Sequence, residues 1–100
     1  MFYLPQEIPA IRHAAEDALR PAFDHSDVAN VSDWVQRCID DKAQLWRLRA
    51  YWVISEVQDT KNGLAVHLVF SAGGYEPELV DAINTWAKAK GCNKSFFSGR

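Results

Sequence analysis

Leu64-Ala65-Val66-His67-Leu68-Val69-Phe70, followed by Ser71-Ala72-Gly73-Gly74 and then Pro77 to Lys90, is the stretch whose reading decides the fold. The apolar run has the length and β-branched content of a buried strand, and the glycine pair marks a turn. Pro77 suits the first turn of a helix whose inner face is Leu79, Ala82, Ile83, Trp86 and Ala89 or Lys90, and Gly91 supplies a left-handed C-cap. A strand, a glycine turn and a helix start together aim backbone N–H groups and a positive helix end at one place, as anion sites do. Here Glu76 and Glu78 stand at that helix start, where they complement the helix dipole themselves and would repel a pyrophosphate.

Downstream, Ser95-Phe96-Phe97 reads as a short strand that, after a helical crossover, lies parallel to the Leu64–Phe70 strand with right-handed connection. Upstream, Asp59-Thr60-Lys61-Asn62-Gly63 is a hairpin connection, with Asn-Gly offering positive φ, so the strands on its two sides are expected to be antiparallel neighbours. From Gln44 the hydrophobic period is two. Trp46, Leu48, Ala50, Trp52 and Ile54 fall on one face; Leu45, Arg47, Arg49, Tyr51, Val53 and Ser55 fall on the other. Whether residues 45–58 form one strand or two folded at Arg49-Ala50 stays open, because no Gly, Asn or Pro marks a turn there.

The first half is helical. Pro9 fits the first turn of a helix carrying Ile8, Ile11, Ala15, Ala18, Leu19 and Ala22 on one stripe, with Arg12, Glu16, Asp17 and Arg20 outward. Asp24 to Asp27 reads as a polar connection, and Ser32 as the N-cap of a second helix that buries Val31, Trp34, Val35, Cys38 and Ile39 and ends near Asp41-Lys42. The expected class is α+β: two N-terminal helices, an antiparallel hairpin sheet, then a helix and a final strand. The 100 residues suffice for one domain with a single modest core.

Composition narrows the function. The net charge of −2 and the scattered basic residues argue against a nucleic-acid binder, and the Lys88, Lys90 and Lys94 group has a simpler origin in the favourable placement of cations near a helix C-terminus. Cys38 and Cys92 lack CxxC spacing and sit at apolar positions, which suits reduced core thiols of a cytoplasmic protein. No apolar run reaches the roughly 18 residues of a membrane span, and no basic-then-apolar leader opens the chain. No His, Cys and carboxylate share a metal-ligand spacing, and no Ser or Cys stands in a nucleophile motif. His13 and His25 read as surface residues. The four tryptophans are open to two readings, all in the core or some on a surface that meets a partner, and on the second Tyr51 and Trp52 are the candidates for a protein contact.

The element order, Ala43-Gln44-Leu45-Trp46 opening the first long strand, the Asn62-Gly63 hairpin, and Asn84-Thr85-Trp86-Ala87-Lys88-Ala89-Lys90-Gly91-Cys92 followed by Ser98-Gly99-Arg100 resemble the small GNAT-like proteins of tailed bacteriophages. These in turn resemble Gcn5-related N-acetyltransferases. The resemblance runs from about Leu4 to Arg100 and implies one partial GNAT-like domain, ααββ(β)αβ, over residues 1–100. In that superfamily an Arg/Gln-x-x-Gly-x-Gly/Ala turn binds the pyrophosphate of coenzyme A. The matching place here, Phe70 to Glu78, keeps Gly73 and Gly74 but lacks the Arg or Gln, gains the two glutamates, and loses a donor at Pro77. The family also continues past the Gly-Arg with elements that complete the sheet, so the domain is expected either to be trimmed or to have its edge supplied by another subunit.

Two functions from different classes follow from the resemblance. One is a non-catalytic protein that works through protein contacts or self-association, in virion assembly or host-factor binding, in the host cytoplasm or the virion, with no cofactor. The other is an acetyl-CoA-dependent N-acetyltransferase. The enzyme would place its general base at Glu56 or His67 and its cofactor at Ala72, Gly73 and Gly74. Read as ordinary strand residues, Glu56 is a solvated carboxylate and His67 a partly exposed ring. The first function is favoured over the second.

Overall fold

The computed structural model describes residues 2–23, 30–60, 63–72 and 76–97. In chain order these form β1 (Phe2–Tyr3), a 3-10 turn (Pro5–Glu7), α1 (Ile8–Phe23), α2 (Val31–Ile39), β2 (Gln44–Leu48), β3 (Tyr51–Thr60), β4 (Gly63–Ala72), α3 (Pro77–Ala89) and β5 (Cys92–Phe97). The sheet has five strands in the order β1-β2-β3-β4-β5. The first four are antiparallel neighbours, and β5 lies parallel to β4, from Leu64 opposite Cys92 to Leu68 opposite Phe97. The α+β class is as the sequence indicates. The two-residue β1 is an addition, too short for periodicity to reveal.

Residues 45–58 are two strands. Leu48 pairs with Tyr51 across a two-residue loop, and Arg49 takes φ 56°. A positive φ costs a non-glycine residue about 1 kcal/mol or more, and local sequence gives no warning of it. The turn also overturns the face grouping expected of a single strand. Leu45, Trp52 and Ile54 share one core with α1 and α2, whereas Trp46, Tyr51 and Val53 share the other with α3. Tyr51 and Trp52 are thus on opposite faces.

On the first face, Ile8, Ala15, Leu19, Ala22 and Phe23 of α1 meet Val31, Val35 and Cys38 of α2 over the sheet. Tyr3 stacks on Trp52 with ring centroids 6.0 Å apart. Arg12 does not point outward as the stripe suggests. Its Nε donates to Glu16 Oε2 at 2.6 Å, its Nη1 to Gln36 Oε1 at 2.8 Å and its Nη2 to Ser32 Oγ at 3.0 Å, tying α1 to α2. The N-cap of α2 is Asn30, whose Oδ1 accepts from the Asp33 N–H at 2.9 Å, so Ser32 is not the cap but the second residue of the first turn. A side-chain oxygen three residues before an N–H is the geometry that satisfies an orphan helix donor.

On the second face, Leu79, Ile83 and Ala87 of α3 pack on Trp46, Tyr51 and Val53. The deep stripe follows a four-residue step to Ala87, leaving Ala89 and Lys90 exposed where the sequence placed an inner face. Gly91 closes α3 at φ 88°, as its C-cap role requires. The ring of Trp46 meets Phe2 on one side and Trp86 on the other, edge to face, at 5.7 and 5.8 Å. The Asp24–Asp27 connection and the Lys61-Asn62 tip lie outside the described residues, but Thr60 opposite Gly63 makes β3 and β4 the antiparallel pair expected.

Candidate functional site

The register places Glu56 of β3 directly opposite His67 of β4, near the middle of the sheet. Nothing in the local sequence couples the two; the pairing follows from the hairpin and from a bulge, where Ile54 faces Phe70 but Ser55 faces Leu68. The extra residue on β4 at this point is Val69, and a bulge of this kind bends and twists the strand locally.

Glu56 is not a solvated strand carboxylate. It is 8% exposed, and its Oε1 accepts from Arg37 Nη2 of α2. The Gln58 amide stands 3.5 Å from its other oxygen, at the limit of hydrogen bonding. Burial disfavours an isolated carboxylate, and the guanidinium compensates it. Arg37 in turn lies 4.9 Å over the ring of Trp34, and its buried Nε has no hydrogen-bond partner among the described residues. Arg37 was absent from the residues singled out in the sequence; the available signal was its position three residues after Trp34, on the flank of the apolar stripe of α2.

Beside this pair a cavity of about 290 Å³ opens where β2 begins at Gln44. Ser55, Glu56 and Val57 line it from β3, Asp41 and Lys42 from the α2–β2 connection, and Trp86 and Lys90 from α3. Ser55 is fully buried, and its Oγ accepts from Trp46 Nε1 at 2.8 Å. Asp41 takes φ 62° as the chain leaves α2, a conformation that Asp tolerates better than most residues. None of these residues except Glu56 was singled out as a site residue, because they come from three separated segments that only the fold unites.

The turn toward α3 departs from the expected form. Ser71 and Ala72 are still strand, opposite Val53 and Trp52, and Gly73 and Gly74 lie outside the described residues. Glu76 is the N-cap residue of α3, without a side-chain cap, and its Oε2 accepts from Arg49 Nη1 at 2.8 Å. Its carbonyl accepts from the N–H groups of Leu79 and Val80 at 3.0 and 3.1 Å. Pro77 has no N–H, so Glu78 is the first-turn residue whose N–H has no acceptor within the helix.

Tyr51 and Trp52, singled out for a partner contact, are 7% and 4% exposed inside the chain's own two cores. Their rings are occupied there, so a partner surface has to be sought elsewhere. Arg47 also lies 4.7 Å over the Trp52 ring. His13 is exposed; His25 and the side chain of His67 lie outside the described residues. Cys38 and Cys92 are both free, Cys38 buried and Cys92 half-buried. Burial pushes the Cys38 thiol up to about 12, with neighbouring Arg37 opposing the shift and Glu56 adding to it. Burial raises Cys92 as well. Thiols so shifted are poor nucleophiles at neutral pH. Among the described residues no group of three or more His, Cys, Asp and Glu is placed to hold a metal ion, and no helix is long and apolar enough to cross a membrane.

No protein-family model, curated protein or solved structure matches the chain.

Proposed function

We propose that the chain is a GNAT-like protein of the kind tailed bacteriophages encode, acting without catalysis, through contacts with a protein partner or with itself in virion assembly or host-factor binding. The observation that carries this reading is Glu76. A helix start that holds a pyrophosphate offers free N–H groups and an uncompensated positive end. In this chain that end already has a carboxylate, held by Arg49 at 2.8 Å, Pro77 offers no N–H, and the Leu79 N–H bonds to the Glu76 carbonyl at 3.0 Å. The commitment of Glu56 to Arg37 supports the same reading, since a general base must be free to reach the proton it takes.

The second reading is an acetyl-CoA-dependent N-acetyltransferase, favoured by one observation, the pairing of Glu56 with His67 across β3 and β4. Calorimetric titration with acetyl-coenzyme A separates the two. The expected result is no heat at millimolar cofactor. Micromolar binding would refute the non-catalytic reading and turn the search toward an amine substrate.

A further inference from the structure

In β3 the strand runs on to Thr60, while its neighbour β2 begins only at Gln44, opposite Ser55. The β2–β3 hairpin closes on the pair Leu48 and Tyr51. In a two-residue hairpin that pair exchanges hydrogen bonds, and bonding to a given neighbour then alternates along the strand. The backbone groups of Tyr51, Val53 and Ser55 therefore meet β2, and those of Val57 and Asp59 continue the same row with no strand beside them among the described residues. On its other side β3 is paired with β4 along this whole length, and β4 is covered in turn by β5. Of the residues that commonly blunt an edge, Val57-Gln58-Asp59-Thr60 contains no proline or lysine and one charged residue, Asp59.

The cavity of about 290 Å³ lies at the head of this open row, where Ala43 and Lys42 lead the chain away from the line of β2. Its charges are unequal. Glu56 is neutralised by Arg37, whereas Lys42 and Lys90 are exposed and have no ion-pair partner among the described residues, against the single carboxylate of Asp41. Trp86 and Val57 give it apolar walls. Strand addition at a sheet edge draws its affinity from main-chain hydrogen bonds and its selectivity from pockets that take alternate side chains.

We propose that the open edge of β3 at Val57–Asp59 receives an extended segment of a partner protein, which continues the row of β2 and places an acidic side chain in the cavity between Lys42 and Lys90. This inference rests on the protein-contact reading above and names the surface and the chemistry of its partner.

The test uses two nine-residue peptides of alternating threonine and valine, one with a central glutamate and one with a central lysine, titrated into the isotopically labelled chain and followed by amide NMR. The glutamate peptide is expected to saturate below about 1 mM, to shift the Val57 and Asp59 amides and slow their hydrogen exchange, and to bind at least about fivefold tighter than the lysine peptide. The exposed double variant K42E/K90E is expected to keep its fold, seen as an unchanged core spectrum, and to lose or reverse the preference. No shift at Val57 and Asp59 at 1 mM, equal affinity for both peptides, or amides already protected in the free chain would each overturn the proposal. If acetyl-coenzyme A remains silent in those cases, the edge assignment alone falls; micromolar cofactor binding removes the underlying reading whatever the peptides do.

Discussion

Replacing Arg37 with methionine tests whether Glu56 is a buried, committed carboxylate. The substitution keeps most of the side-chain volume against Trp34 and removes the cation, leaving a carboxyl group that is 8% exposed without its partner. Breaking a fully buried pair this way costs about 3–5 kcal/mol, and an exposed pair is worth about 0–1 kcal/mol. Here the arginine side chain is 39% exposed and the glutamate 11%, so water reaches one partner and a cost of about 2 kcal/mol is expected. In a chain of this size that lowers Tm by roughly 8–16 °C. Urea denaturation and calorimetry of R37M, E56L and R37M/E56L complete a double-mutant cycle. The double variant, which replaces both charges with apolar groups, is expected to lie within about 1 kcal/mol of the parent, as buried pairs exchanged whole usually do. A loss below about 0.5 kcal/mol in R37M would refute the reasoning, because it would mean that water solvates the carboxylate and that it is free to act as a base.

Alkaline pH should weaken the fold through Cys38. Burial holds the folded-state thiol at about 12, above its ordinary value of 9.0, so the native chain retains a proton that the unfolded chain releases. Stability is therefore unaffected below about pH 9 and falls above it, by at most about 1.4 kcal/mol per pH unit up to about pH 12. The difference between the parent and C38A in urea midpoints from pH 8 to 10.5 isolates this part, and parallel curves would sink the idea. Gly91→Ala places a Cβ at φ 88° and should cost about 1–2 kcal/mol in thermal unfolding; a neutral result would mean that α3 closes differently. Trp46→Phe removes the donor to the buried Ser55 hydroxyl and should cost about 1–3 kcal/mol, part of which a second change, Ser55→Ala, should restore. Failure of the second change to restore anything would argue that the lost indole packing, not the hydrogen bond, sets the cost.

The parts of the fold legible in the sequence were those that obey a local period or a recognised turn residue. The stripes of α1 and α2, the helix from Pro77 to the Gly91 cap, and the β3–β4 pairing each follow from residues within a few positions of one another. The β2–β3 turn was not legible. Arg49 takes its positive φ because the strands on both sides have cores to fill, so tertiary packing overrides a local preference. That one turn reassigned the faces of Trp46, Tyr51, Val53 and their neighbours. The site was harder still. Arg37 and Glu56 are 19 residues apart in the chain, and the cavity beside them draws on Asp41, Ser55 and Trp86. Ion pairs and cavities between distant segments leave no periodic trace.

The row of rings from Phe2 through Trp46 to Trp86 also gives the molecule an optical property. Two indoles 5.8 Å apart and nearly perpendicular, one on the sheet and one on α3, couple their electronic transitions in a way that depends on their separation and mutual angle. The helix that closes one face of the sheet therefore carries half of a built-in spectroscopic pair. Movement of α3 away from β2 would register in the aromatic circular dichroism of the unmodified chain, without any label.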